Sequence, residues 1–259
     1  MQVTSLNKIL SSSQYLVENV LAVQKPSEMV EPYYLDCELI FPAQTRFSSE
    51  VVKEKIAWGE PNAVWDESEK KWKLKHDEGR SWLKLEEAIP VVKAPFGFIS
   101  VDGHHDILAN FELGGTTVPV REIADLSHCS IEEFWRKAEE NGWAYLHAFG
   151  GEKTEPIKRF QDLADDSNRR FAGLVGRKYY TNGSSWGADY PIWIKQERDI
   201  PFIEFKIADA LWSAGLVYTP GEEFSIEFVE KARSVLLEAN IEGLKIVPTR
   251  LHYSQIIPG

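Results

Sequence analysis

Cysteine is scarce. The 259 residues include only Cys37 and Cys129, with no C-x-x-C spacing. That leaves no basis for a disulfide framework or a cysteine zinc site, and predicts two buried thiols in a reducing compartment. Long apolar runs are missing as well: no stretch approaches the ~20 residues that a bilayer-spanning helix needs. Residues 1–22 have neither a basic start nor an extended apolar core, so no signal peptide is expected and a cytoplasmic location is. Positive charge is in short supply. Lys and Arg number 29 against 40 Asp and Glu, a formal net charge of −11. This argues against holding DNA by bulk electrostatics, because non-specific affinity comes from cationic side chains meeting phosphates; a local basic groove stays open. Repeats and low-complexity segments are absent too.

Apolar and aromatic mass is plentiful: 43% hydrophobic residues, with 9 Trp, 9 Tyr and 13 Phe. That suffices for one large domain or two smaller ones. The most informative stretch is Phe98-Ile99-Ser100-Val101-Asp102-Gly103-His104-His105, followed by residues 106–113 and then Gly114-Gly115. It reads as a buried strand, a glycine turn and a short helix with Ile107, Leu108 and Phe111 inward, stopped by the glycine pair. Asp102, Gly103, His104 and His105 then sit where a strand hands over to a helix N-terminus. Unpaired N–H groups and the positive end of the helix dipole favour phosphate there. Two imidazoles add donors, and two adjacent histidines have no evident packing use. A zinc site made by them is not expected, since neighbouring residues diverge and no i, i+4 histidine partner follows.

Upstream, residues 7–22 show a loose helical pattern, broken by Lys25-Pro26 and Glu31-Pro32, and form an N-terminal helix or arm over 1–32. Residues 33–41 read as a strand. Pro42-Ala43-Gln44-Thr45-Arg46 is a loop, and Glu50–Ile56 a helix with a serine cap. Arg46 is suited to grip a phosphate with both arms of its guanidinium, or is an ordinary surface arginine. Trp58, Trp65, Trp72 and Trp82 lie in a charged excursion with a hairpin tip at 66–72; they stack on a base or pack on the surface. Further strands are expected at 87–93 and 116–123, giving a compact mixed sheet with helices.

The second half reads as mainly helical. Ser130 and Glu133 form a capping-box pattern ahead of a helix to Glu140. Other helices are expected at 171–178, at 200–212 with Pro201 in the first turn, and at 224–236, while 179–187 is a polar loop. A subdomain boundary falls at Gly150-Gly151, so the expected organisation is 1–32, 33–150 and a helical extension over 151–259.

Taken together these segments resemble the ParB/sulfiredoxin superfamily, and over about 33–236 the ParB-like nuclease family. Pro42-Ala43-Gln44-Thr45-Arg46-Phe47 resembles the first ParB motif, and Gly115-Thr116-Thr117-Val118-Pro119-Val120 the strand that closes that module. Asp102-Gly103-His104-His105 is most similar to the Asp-Gly-His-His of free serine kinases on this fold. The helical extension of the family is matched at Ile131–Trp135, Leu163–Arg170 and Pro201–Asp209. One departure is Asp106, where related motifs often carry arginine. The resemblance implies an α+β fold, a small mixed sheet with helices followed by a helical extension. It also implies that Gly103, His104 and His105 cradle nucleotide phosphates, with Gln44 and Arg46 beside them and charge supplied by Arg169 or Arg170. Magnesium would enter on the phosphates of ATP or ADP. Glu50 would then serve as general base or ion ligand, or as a plain helix-start glutamate, and Asp102 and His105 would share the chemistry. Arg169, Arg170, Glu204 and Asp209 close over the site or form an internal ion-pair network. The functions left open are a metal-dependent nuclease, a nucleotide-dependent small-molecule kinase and a non-catalytic nucleotide switch or interaction module. A nucleotide or small phosphorylated ligand is the expected partner, with no membrane, and with nucleic acid disfavoured by charge.

Overall fold

The computed structural model describes residues 31–75, 81–177, 194–196, 202–220, 225–242 and 244–246. The helix expected over 7–22 and the loop expected over 179–187 lie outside the described residues. The chain divides into two compact units. The first takes the described residues up to Thr45, then Val51–Leu146 and Glu155–Leu163; the second takes Arg46–Glu50, His147–Thr154 and the described residues from Ala164 on.

The single strand expected over 33–41 is two, β1 (Tyr33–Asp36) and β2 (Ile40–Pro42). The Asp36 carboxylate accepts the Glu38 N–H at 2.9 Å and caps a 3-10 turn at Cys37–Leu39 between them. Arg46 is not in a loop but opens a two-residue strand, β3 (Arg46–Phe47), and helix α1 follows (Ser49–Gly59). The charged excursion folds as the hairpin β4 (Ala63–Asp66) and β5 (Lys71–Leu74). Trp65 lies opposite Trp72, with their rings edge-on at 5.6 Å.

β6 (Ile89–Ala94), β7 (Gly97–Ser100), α2 (His104–Glu112), β8 (Thr117–Asp125) and α3 (Ile131–Glu140) complete the first unit. Its sheet has the order β1-β8-β6-β7-β2. β8 pairs parallel to β6, β7 pairs parallel to β2, and the other two contacts are antiparallel, so the sheet is mixed and the architecture α+β. Successive strand residues face opposite sides. Val92, Ala94 and Ile99 pack with Phe134 and Ala138 of α3 and with Trp143. Ile89 and Val91, also buried, face the other side. Both faces being covered explains why β6 reads as a continuous apolar run. The Ser130 hydroxyl accepts the Glu133 N–H at 3.2 Å, so the expected cap is formed. Both cysteines are buried free thiols, and burial pushes Cys37 up to about 12.

In the second unit β9 (Ala164–Asp165) pairs parallel with β3. Helix α4 (Ser167–Arg177) begins four residues before the expected Phe171. Asp166 is the reason: its carboxylate accepts the Asn168 N–H at 3.0 Å and caps the earlier start. β10 (Ile194–Gln196), α5 (Ile203–Ser213), α6 (Ile226–Ala239) and β11 (Leu244–Ile246) follow, with β10 and β11 antiparallel. Pro201 lies outside the described residues, and α5 starts directly after Phe202 at φ +56°. Phe171 and Ala172 of α4, Ile207 and Leu211 of α5, and Ala232 and Leu236 of α6 share one buried cluster.

Candidate functional site

Parallel pairing of β2 with β7 puts Pro42 opposite Ser100. The chain therefore leaves both strands at the same end of the sheet, into Ala43–Thr45 from one and Val101–Gly103 from the other. At Gly103 φ is +76°, and a Cβ there would come within 2.9 Å of Ile89 Cγ1, so glycine is needed for conformation and for room. The Asp102 carboxylate accepts the Gly103 N–H at 2.7 Å, and the Ser100 hydroxyl donates to the Asp102 carbonyl at 2.5 Å. The first intrahelical bond of α2 runs from the Ile107 N–H to the Gly103 carbonyl at 2.9 Å. The N–H groups of His104, His105 and Asp106 thus precede the ladder, at the positive end of the dipole.

The two histidines have different environments. His104 is 3% exposed, and its Nε2 accepts the Ala43 N–H at 3.0 Å. A nitrogen that accepts carries no proton, so this ring is not a two-donor imidazolium. Phe160 packs against it, ring centroids 5.6 Å apart. His105 is only half-buried. Gln44 is buried and its backbone bridges to Tyr145, whose N–H donates to the Ala43 carbonyl at 2.8 Å. Asp106 pairs with Lys55 of α1 at 2.7 Å.

The remaining candidates belong to the second unit. Arg46 is 0% exposed. Its guanidinium meets Asp166 at 2.8 Å and Asp209 at 2.7 Å, and lies 5.4 and 5.3 Å from the rings of Phe149 and Phe205. The Trp212 indole N–H donates to Asp166 at 2.8 Å. Burial raises the Asp166 carboxyl, and the indole and then the Arg46 charge oppose that rise. Arg169 pairs with Glu204 at 3.0 Å and stacks 3.9 Å from the Phe205 ring. Arg170, next along α4, is half-buried. Glu50 faces the Tyr218 hydroxyl at 3.5 Å. Among the described residues no group of three His, Cys, Asp or Glu side chains could hold a metal ion.

Sequence reasoning missed three participants. Asn110, fully buried in α2, donates to the Thr117 carbonyl at 3.0 Å and accepts the Trp82 N–H at 3.2 Å. An asparagine on the apolar face of a helix, just before a glycine pair, was the available signal. Asp166 and Trp212 around Arg46 had no such signal, because 120 residues separate Arg46 from Asp166.

A family model described as "Putative ParB-like nuclease" matches residues 36–212. Among solved structures the chain is similar to protein Atu1540 from Agrobacterium tumefaciens, with 22% identity and a TM-score of 0.52 over 81% of this chain and 90% of that one. At that identity the likeness speaks for the fold. No curated protein matches. Among the described residues no helix is long and apolar enough to cross a membrane.

Proposed function

The chain belongs to the ParB-like nuclease family, and from that premise we propose that it binds the phosphate of a nucleotide or another small phosphorylated ligand at Gly103–His105, for phosphoryl or phosphodiester chemistry. One observation carries the reading. Two parallel strands end side by side, and the Ala43 N–H to His104 Nε2 bond ties their loops together at the start of α2. Backbone donors at a helix start, held by a glycine whose positive φ and close Ile89 neighbour disfavour a side chain, are the elements of a phosphate cradle.

In this reading the N–H groups of His104 and His105 face the anion, the His105 ring adds a donor, and His104 holds the Ala43–Thr45 loop that carries Gln44. Asp102 fixes the turn through the Gly103 N–H. Arg46 and Arg169 already hold Asp166, Asp209 and Glu204, which supports a framework role for them. In this reading magnesium would arrive on the ligand and neutralise its charge. The net charge of −11 supports a small ligand over duplex DNA.

Thermal shift with ATP, ADP, CTP, GTP and inorganic phosphate, with and without magnesium, tests the reading. A shift for at least one, lost in His105→Ala, is expected; no shift with any of them would end it. Incubation with a metabolite pool and with single- and double-stranded DNA then assigns the class. A phosphorylated metabolite means a kinase, cleaved DNA a nuclease, and binding without turnover a switch.

A further inference from the structure

The hairpin of β4 and β5 plays no part in the phosphate reading, and one of its two edges is open. The Lys75 N–H donates to the Asn62 carbonyl at 2.8 Å, which extends the ladder past the Ala63–Leu74 pair. Bonded and non-bonded pairs alternate in an antiparallel ladder. Trp65 and Trp72 are therefore a non-bonded pair, and their backbone N–H and C=O groups point out of the hairpin on opposite sides. On the β5 side, Gly114 packs so closely against the Trp72 carbonyl that a Cβ would not fit, so that edge is covered. On the β4 side, no described residue takes the Trp65 N–H or C=O. Trp65 is 40% exposed and Val64 52%. An edge strand with large exposed apolar side chains, and with no lysine, proline or bulge to blunt it, is a template for another strand.

Two features select a second copy as that strand. Residues 63–75 carry Lys70, Lys71, Lys73 and Lys75 against Asp66, Glu67 and Glu69, a net charge of +1 in a chain of −11. Copies that repel elsewhere do not repel here. The edge is also self-complementary. A two-fold axis at Trp65 lets the Trp65 N–H of each copy donate to the Trp65 carbonyl of the other. On one face that axis lines up Trp72 and Trp65 of one copy with Trp65 and Trp72 of the other. It also sets Asp66 opposite Val64 rather than opposite its own mate, where like charges would meet. We infer that β4 is a docking edge for a second copy of this chain, joined antiparallel through Trp65 into a four-stranded sheet. The contact is short, so the dimer is weak and depends on concentration.

Sedimentation velocity on the full chain, from about 5 to about 500 µM, tests this. The weight-average mass should climb toward that of a dimer. Trp65→Lys puts a charge on the edge and should weaken association at least about ten-fold. Val64→Lys leaves the Trp65–Trp72 contact in place and should do the same, so it carries the comparison if circular dichroism shows that Trp65→Lys does not fold. Leu39→Lys, at an exposed apolar residue outside the hairpin, should leave association unchanged. Cysteines read the register. Bonded partners have Cα atoms about 5.5 Å apart, within disulfide reach, so Trp65→Cys should cross-link to its mate in oxidised glutathione. Val64→Cys, two residues out of register with its mate, should not. A chain that stays monomeric across the range, a dimer that both lysine variants leave intact, or cross-linking through Val64→Cys as fast as through Trp65→Cys overturns the inference.

Discussion

Gln44 and Arg46 are two residues apart, yet different units take them and different physics holds them. The first unit fixes its candidate turn with backbone geometry: parallel strand ends, a glycine at positive φ, and a histidine that accepts a main-chain N–H. The second unit fixes Arg46 with charge and aromatic faces, between Asp166, Asp209, Phe149 and Phe205. A contiguous motif that looks like one ligand set is thus two constructions. One leaves its donors at a helix start, and the other commits its cation internally. The difference can be attacked from either side.

The largest effect is expected at Arg46. Arg46→Ala would leave two buried carboxylates without their counter-charge, a loss of about 3–5 kcal/mol. Urea denaturation followed by helical circular dichroism would read it. Combining Arg46→Met with Asp166→Asn and Asp209→Asn should recover a good part of that loss, because matched removal of a buried ion pair is far cheaper than removal of one partner. A loss under ~1 kcal/mol for Arg46→Ala would mean the guanidinium is not a strut.

Next comes the turn itself. Gly103→Ala combines φ +76° with a Cβ contact of 2.9 Å to Ile89, and should cost about 1–3 kcal/mol. The matching change in the second unit, Gly173→Ala in α4, meets nothing within 4 Å and should be neutral or stabilising by up to ~1 kcal/mol. Equal costs at both glycines would erase the contrast between a turn that demands glycine and a helix that merely contains one.

The sequence made the first unit more legible than the second, for a physical reason. Strand and helix periodicity, the glycine turn at Gly103 and the Ser130 cap are local signals, and each appears where local chemistry puts it. Arg46 reads as loop from sequence because two residues are too few to show a strand period; β3 exists only because β9 lies beside it. The start of α4 precedes its apolar pattern because Asp166 caps it, and an aspartate in a polar run gives no periodic signal. The double carboxylate around Arg46 depends on Asp166 and Asp209, more than a hundred residues on, and no spacing rule reaches that far. Within the turn the sequence marked both histidines alike. Only the structure separates a ring that accepts from the main chain from one that stands half-buried at the helix start.

That separation yields the finest prediction. His104→Ala removes the acceptor for the Ala43 N–H and opens space beside Phe160, so it should cost at least about 1–2 kcal/mol, read as a lowered urea midpoint. His105→Ala touches a half-buried side chain and should cost less than His104→Ala. The ligand response should divide differently. His104→Gln keeps an acceptor near the Ala43 N–H and should retain most of the nucleotide-dependent thermal shift, whereas His105→Ala, which removes the imidazole proposed to meet the phosphate, should lose it. If the two variants lose the shift equally, the histidines work as one pair of ligands and the division into a strut and a contact fails. If His105→Ala destabilises as much as His104→Ala, both rings are packing elements and the phosphate depends on backbone donors alone.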